Sequence, residues 1–284
     1  MTSWFVSSMQ QTDICTVASN AELSIWPRLM PQIKVRGIDL YYETQGQGEP
    51  LVLLHNGLGC TRSFTQQVDE LSKHFAVVSY DRHGYGRSAH MVTLAGNWLD
   101  ASLDELSCLL DQLRIEKAHL CGICVGGAMA LLLAARSPER VRTVIAAGTC
   151  CYGEESMAPK ALKLYPSPED LPPEWSREME NCHGRTYWRE LYAVFHQAIR
   201  EEKGYPFRGF DLRPILPNIK VPVMVTYGDR DQLFEIEQAV TMHKLLERSD
   251  LCILPNCGHL PNEEKPREFN REILGFIRRY QTWP

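Results

Sequence analysis

Short apolar runs alternate with longer amphipathic segments along most of this chain. The runs are rich in Val, Leu, Ile and Ala and have the length of buried β-strands. They lie at residues 51–54, 75–79, 118–121, 141–147, 221–227 and 251–254. Segments with a helical pattern fall between or after them, at residues 63–73, 98–113, 128–136, 236–247 and 266–280. The alternation predicts an α/β fold in which helices flank a mostly parallel sheet.

The first part of the chain departs from this alternation. Residues 1–29 show no periodicity, which predicts an irregular N-terminal arm. Residues 32–36 and 38–44 then alternate between apolar and polar positions on either side of Gly37, as in a β-hairpin. We therefore expect the folded core to begin at residue 30.

A second departure occurs between residues 150 and 216. A proline-rich segment at 165–173 precedes a helical stretch at 185–201 that carries several aromatic residues. Such an insertion is expected over the carboxyl ends of the strands, where open α/β sheets bind ligands. The predicted organisation is a core of residues 30–149 and 217–284 with a lid insertion at 150–216.

Composition narrows the classes of function. The 284 residues are 44% hydrophobic and 23% charged, as expected for a globular protein with a large core. The net charge of −5 argues against binding to a nucleic-acid backbone. No apolar run approaches the length of a membrane span, and the first residues do not resemble a signal peptide, so we expect a cytoplasmic protein. Its ten cysteines are scattered, which favours free thiols. The sequence does not predict an oligomeric state.

The segment Gly122-Ile123-Cys124-Val125-Gly126-Gly127 carries the strongest chemical signal. It joins a predicted buried strand to an apolar helix, and its glycines allow the strand and helix to approach closely. A residue at the apex of such a turn projects above the sheet, and the helix N-terminus favours negative charge there. The pattern predicts that Cys124 is a nucleophile, although most buried cysteines only pack.

Cys121 and Cys124 also form a Cys-x-x-Cys spacing, which is found in redox and metal sites. Cys121, however, is expected to lie on the strand and to point into the sheet. A zinc site would need a second pair, and Cys150 and Cys151 are adjacent instead of correctly spaced. We therefore favour the nucleophile and expect no metal and no cofactor.

A nucleophilic cysteine requires a base and a group that orients the base. His259 follows the predicted strand 251–254, and Asp231 follows the predicted strand 221–227. His259 is the expected base and Asp231 its partner, with Asp229 as the alternative. The backbone N–H groups of Gly57 and Val125 are candidates for an oxyanion hole.

Taken together, these motifs resemble the α/β-hydrolase superfamily from about residue 30 to residue 280. The resemblance rests on the cysteine turn, the loop His55-Asn56-Gly57-Leu58-Gly59, the segment 81–88 (DRHGYGRS), Asp231 and His259. It implies hydrolysis or transfer of acyl groups through a covalent intermediate beneath a lid. Two positions depart from the usual pattern, since Asn56 replaces a glycine and Cys124 replaces a serine. A cysteine at this turn also occurs in dienelactone hydrolases and hydroxyalkanoate synthases.

A cysteine nucleophile forms a thioester intermediate, which favours activated acyl donors. We therefore expect hydrolysis of a small-molecule carboxylic ester, lactone or thioester, with acyl transfer as a variant. One alternative is a carbon–carbon bond hydrolase or lyase that uses the same pocket. Another is a member of this fold that binds a ligand without turnover.

Overall fold

In the computed structural model, which describes residues 32–91, 98–202, 206–207 and 209–281, eight strands form one sheet. They are β1 (Gln32–Val35), β2 (Ile38–Gln45), β3 (Pro50–Leu54), β4 (Ala76–Tyr80), β5 (Ala118–Ile123), β6 (Val141–Ala147), β7 (Val223–Gly228) and β8 (Ser249–Leu254). Their order in the sheet is β1-β2-β4-β3-β5-β6-β7-β8. Strand β2 pairs antiparallel with β1 and β4, and all other neighbours pair parallel. The predicted α/β fold with a mostly parallel sheet is confirmed.

Helices flank this sheet. They are α1 (Thr65–Leu71), α2 (Trp98–Gln112), α3 (Val125–Arg136), α4 (Met157–Leu164), α5 (Pro173–His183), α6 (Tyr187–Arg200), α7 (Ile236–Leu245), α8 (Pro261–Glu264) and α9 (Pro266–Gln281). Every residue of the central strand β5 is buried, which explains why its sequence is apolar apart from His119. Helix α3 is buried along most of its length because it packs against β5 and β6. None of the described helices is long and apolar enough to cross a membrane.

Helices α4, α5 and α6 all lie between β6 and β7, where the sequence predicts the insertion. The pattern predicts α6 but misses α4 and α5. Helix α5 begins directly after Pro172, within the proline-rich segment, with Pro173 at its first position. Proline is well tolerated there because the first helical N–H has no intrahelical acceptor. The predicted arm at residues 1–29 lies outside the described residues.

The insertion has a small apolar cluster of its own. Leu171, Met179, Trp188 and Tyr192 are buried together, and Leu58 from the core packs against them. Leu58 follows β3, so this cluster joins the insertion to the loop that precedes α1. The helices of the insertion are therefore packed against the carboxyl ends of the strands.

A disulfide bond between Cys60 and Cys182 joins the same two regions. The expectation of free thiols is wrong for this pair. Cys60 lies after β3 and Cys182 lies in α5, 122 residues later, so the spacing of cysteines in the sequence does not reveal the bond. Such bonds persist mainly in oxidising surroundings. The cytoplasmic location stays a prediction, and in the cytoplasm this disulfide would have to persist in reducing surroundings.

Candidate active site

Cys124 lies at the junction between β5 and α3, in an unusual backbone conformation. Its φ of 54° and ψ of −115° place a non-glycine residue at positive φ, which is uncommon. Its N–H donates to Ala147 O on β6 at 2.8 Å, which anchors the turn. The side chain is buried, with 8% of its surface exposed. The structure thus contains the strand–turn–helix geometry that the sequence predicts.

Two glycines make this turn possible by allowing close backbone contacts. A Cβ atom on Gly122 would lie 2.1 Å from Gly126 C, and one on Gly126 would lie 2.1 Å from Leu54 O. Neither position therefore accepts a side chain without moving the backbone. This packing brings the start of α3 against the end of β3.

Asp231 and His259 form a direct pair. His259 Nδ1 lies 2.9 Å from Asp231 Oδ2, which assigns the Nδ1 proton to a hydrogen bond with the carboxylate. The other carboxylate oxygen, Oδ1, accepts the backbone N–H groups of Leu233 at 2.8 Å and Phe234 at 3.1 Å. Asp231 is therefore held in one orientation by its own loop, and it holds the imidazole ring in turn.

The second ring nitrogen of His259, Nε2, is buried and has no hydrogen-bond partner among the residues that the structure describes. Burial by itself lowers the pKa of His259, but the Asp231 carboxylate and the nearby Cys124 sulfur raise this pKa well above its ordinary value. Burial also disfavours ionisation of Asp231, but the charge and hydrogen bond of His259 bring the Asp231 pKa below its ordinary value. Because it interacts with both the Asp231 carboxylate and the Cys124 sulfur, the imidazole readily accepts a proton.

Asp229, the alternative partner, does not contact His259 through its carboxylate in this way. It is exposed, and its Oδ1 accepts the backbone N–H of Cys257 at 3.2 Å. Asp229 thus supports the loop that precedes His259, whereas Asp231 contacts the imidazole itself.

Gly57 and Val125 both border a narrow cavity of about 50 Å³ that also contains Cys124. Val125 is the first residue of α3, so its N–H has no acceptor within the helix. Gly57 approaches the same cavity from the loop after β3. The structure therefore brings the two residues that carry the predicted oxyanion donors to the cavity that Cys124 lines. The rest of this cavity is mostly apolar and includes Phe195 and Ala198 of α6.

Buried charges behind the loop after β3 support it, a role that the sequence analysis does not predict. The Arg82 guanidinium donates to Asn56 O at 2.7 Å, and the Arg82 backbone N–H donates to His55 Nε2 at 3.1 Å. Asp81 accepts the N–H groups of Thr61 and Arg87. The signal for this role is the segment 81–88, whose charged residues directly follow the apolar strand β4.

The geometry does not favour a site built on the Cys121–Cys124 spacing. Cys121 lies within β5 with none of its surface exposed, and burial raises the pKa of its thiol. Both cysteines are free. Among the residues that the structure describes, no group of three or more His, Cys, Asp or Glu side chains is placed to hold a metal ion.

Comparisons with known proteins agree with this architecture. The sequence model of the "Alpha/beta hydrolase family" matches residues 51–272. The human protein "Serine hydrolase BPHL" is 28% identical over 256 residues, covering 87% of this chain and 85% of its own length. A 2-hydroxy-6-oxo-6-phenylhexa-2,4-dienoate hydrolase from Comamonas testosteroni is 27% identical and covers 84% of this chain and 91% of its own length. The crystal structure of an enol-lactonase from Burkholderia xenovorans superposes with a TM-score of 0.71 at 25% identity, covering 87% of this chain and all of that one.

Proposed function

Since this chain belongs to the alpha/beta hydrolase family, we propose that it hydrolyses a carboxylic ester, lactone or thioester through an acyl-cysteine intermediate on Cys124. The observation that carries the proposal is the pairing of Asp231 with His259, whose imidazole also interacts with the Cys124 side chain and whose Nε2 has no other partner in the described part of the chain. The same arrangement of nucleophile, base and orienting carboxylate recurs in enzymes that transfer acyl groups.

The acylation step uses each of these groups. His259 Nε2 takes the Cys124 thiol proton, and the sulfur attacks the carbonyl carbon of the substrate. The resulting oxyanion accepts hydrogen bonds from the N–H groups of Gly57 and Val125. When the tetrahedral intermediate collapses, the bond to the leaving group breaks and His259 protonates that group. Cys124 then carries the acyl group as a thioester.

Deacylation runs through the same groups in reverse order. His259 removes a proton from water, the resulting hydroxide attacks the thioester carbonyl, and the carboxylic acid departs as Cys124 regains its proton. An alcohol, amine or thiol in place of water gives acyl transfer with the same balance of atoms. Asp231 stabilises the imidazolium that forms in both steps.

Intact-protein mass spectrometry after brief exposure to an activated ester such as 4-nitrophenyl acetate tests the proposal. We expect the mass of one acetyl group on the wild type and none on Cys124→Ala. Cys124→Ser should acylate more slowly, because a hydroxyl depends more strongly on proton removal by His259. Cys252→Ala is the matched control, since Cys252 is a free cysteine on β8, and it should acylate like the wild type. Acetylation that persists in Cys124→Ala, or is absent with every donor, would contradict the proposal.

A carbon–carbon bond hydrolase is the second candidate, favoured by the similarity to the dienoate hydrolase from Comamonas testosteroni. In such a reaction His259 acts as the base without an acyl-enzyme. Full activity of Cys124→Ala on a vinylogous diketone substrate, with no acyl adduct on the wild type, would select this candidate.

A further inference from the structure

A second, larger cavity lies beside the one that contains Cys124. It has a volume of about 580 Å³ and runs along α5, between that helix and the loop after β3. Asn56 and Tyr165 line both cavities, so the two cavities adjoin at these side chains. We call the larger space the outer groove and the narrow one the inner cavity.

Tyr165 stands at the boundary among other aromatic rings. It follows α4, its ring meets Phe195 edge to face at 5.2 Å, and its ring centroid lies 6.0 Å from that of Trp175. Phe195 lines the inner cavity, whereas Trp175 lines the outer groove. Burial raises the pKa of the Tyr165 phenol, and electrostatic interactions with the Cys124 and Asp231 side chains raise it further. Tyr165 therefore lies within electrostatic range of the proposed catalytic groups.

Residues that closely follow His259 in the chain line one side of the outer groove. Leu260 and Glu263 line it, and Leu260 directly follows His259 in the chain. In the proposed mechanism, His259 delivers its proton to the leaving group, so the leaving group has to depart on this side. The inner cavity lies beside Gly57 and Val125 and has room for only a few atoms.

The walls of the outer groove indicate what it binds. Trp175 is the large apolar side chain that stays exposed in the described part of the chain, at 36%. Leu58, Tyr165, Met179 and Leu260 extend this apolar surface. Charged side chains also line the groove, namely Arg62, Glu174, Arg177, Glu178 and Glu263. Aromatic side chains favour contact with planar rings through stacked or edge-to-face geometry. An exposed tryptophan inside such a groove therefore provides a face for a ring of the ligand.

We propose that the outer groove binds an aromatic leaving group, a phenol or an aryl thiol, while the inner cavity holds a short apolar acyl group. This inference rests on the proposed acyl-cysteine mechanism. Trp175 contacts the ring of the leaving group, and Tyr165 separates the two halves of the substrate. After acylation the phenol departs through the groove with the proton from His259.

Acylation and deacylation should respond differently to a change in the outer groove. The leaving group is present during acylation but absent from the acyl-enzyme, so a change in the groove should alter acylation alone. Trp175→Ala should lower the acylation kcat/KM for aryl acetates by about 5- to 10-fold, as expected for the loss of one aromatic contact. It should leave the value for methyl acetate and the deacylation rate of the acetyl-enzyme within about twofold of wild type.

Two further variants complete the design. Ser176→Ala lies on the same helix but outside the groove, and it should match the wild type on every ester. Ala198→Leu narrows the inner cavity, so it should reduce the use of longer acyl chains without changing the preference for aryl over methyl esters. Phenol should inhibit the wild type competitively, and Trp175→Ala should raise its inhibition constant by a similar factor.

The outcomes separate the inference from the proposed function. Equal losses on aryl and methyl esters, a change in deacylation, or no effect of Trp175→Ala on aryl esters would overturn the inference while acetyl-Cys124 still forms. Absence of acyl-Cys124 with every donor would overturn the proposed function and the inference together.

Discussion

Cys124 occupies a backbone conformation that few residues adopt, and its neighbours show why it is maintained there. Gly122 and Gly126 remove the side chains that would separate β5 from α3, and the N–H of Cys124 is bonded to β6. Residues held at unfavourable φ and ψ cost about 1–3 kcal/mol and persist where the surrounding structure imposes them. The same turn places Cys124 directly before the first residue of α3, so the backbone strain and the position next to the helix N-terminus have one origin.

At the residue scale, the two acidic side chains after β7 should differ in their effect on activity. Asp231→Asn keeps the shape of the side chain but removes the charge that orients and stabilises the His259 imidazolium, so we expect kcat to fall by about 10²- to 10⁴-fold. Asp229→Asn is the matched control, because Asp229 contacts the backbone of Cys257 instead of the ring, and it should retain kcat within a few-fold. Steady-state kinetics on an activated ester measures both. Similar losses in the two variants would contradict the assignment.

At the element scale, the site is assembled from the carboxyl ends of neighbouring parallel strands. Gly57 follows β3, Cys124 follows β5, Asp231 follows β7 and His259 follows β8. The insertion then covers these strand ends, and it is joined to the core by the Cys60–Cys182 disulfide and by His183. His183 bonds Leu58 O at 2.9 Å and accepts the Gly86 N–H at 2.9 Å. The end of α5 is thereby attached to both core loops beside the site.

Removing the disulfide should destabilise the protein measurably. The bond joins residues separated by 122 positions, and a cross-link over a loop of that size contributes about 2–5 kcal/mol. We expect the double variant Cys60→Ser, Cys182→Ser to lose free energy of unfolding of that order in urea unfolding under oxidising conditions. Cys252→Ser, at a partly buried free cysteine, is the control and should change it by about 1 kcal/mol or less. A reductant should destabilise the wild type and leave the double variant unchanged; equal stability of the two without reductant would refute the prediction.

At the scale of the whole molecule, the Asp231–His259 pair links folding to pH. The folded-state pKa of His259 lies above its ordinary value of 6.5, so its stabilising contribution is fully present below that pH and is lost as the pH rises through the folded pKa. The Asp231 pKa lies below its ordinary value of 3.8, so its contribution is present above that pH and is lost as the pH falls through the folded pKa. Both contributions to stability are therefore present between pH 3.8 and pH 6.5.

The pH dependence of stability should therefore change in Asp231→Asn. Without the carboxylate, burial lowers the pKa of His259, and protonation of the ring in acid then opposes folding. The difference in free energy of unfolding between wild type and Asp231→Asn should be larger near pH 5 than near pH 9, by on the order of 1–3 kcal/mol. Urea unfolding at the two pH values measures it. Asp229→Asn leaves the pair intact, so its difference in free energy of unfolding from wild type should be similar at pH 5 and pH 9. A difference for Asp231→Asn that is larger near pH 9 than near pH 5 would contradict the linkage.

Much of the architecture follows from local sequence pattern. The apolar runs predict strands β3 to β8 to within a few residues. The signal is strongest for strands such as β5 and β7, because strands buried on both faces need largely apolar sequence. The start of α3 is placed three residues too late, since glycines at 126 and 127 weaken a helical pattern in which they are needed for close packing. Helices α4 and α5 are missed because proline and charged residues obscure their short apolar faces.

The sequence by itself determined the α/β fold and the positions of Cys124, Asp231 and His259 at the ends of strands, because strand order along the chain and turn chemistry are local properties. Only the tertiary structure decided that Asp231, and not Asp229, reaches the imidazole. The two residues are two positions apart in one loop, and only the folded shape of that loop determines which carboxylate contacts the ring. It also decided that Cys60 pairs with Cys182 and that Tyr165 and Asn56 stand between two cavities. Those contacts join segments far apart in the chain, so they depend on how the insertion packs over the sheet.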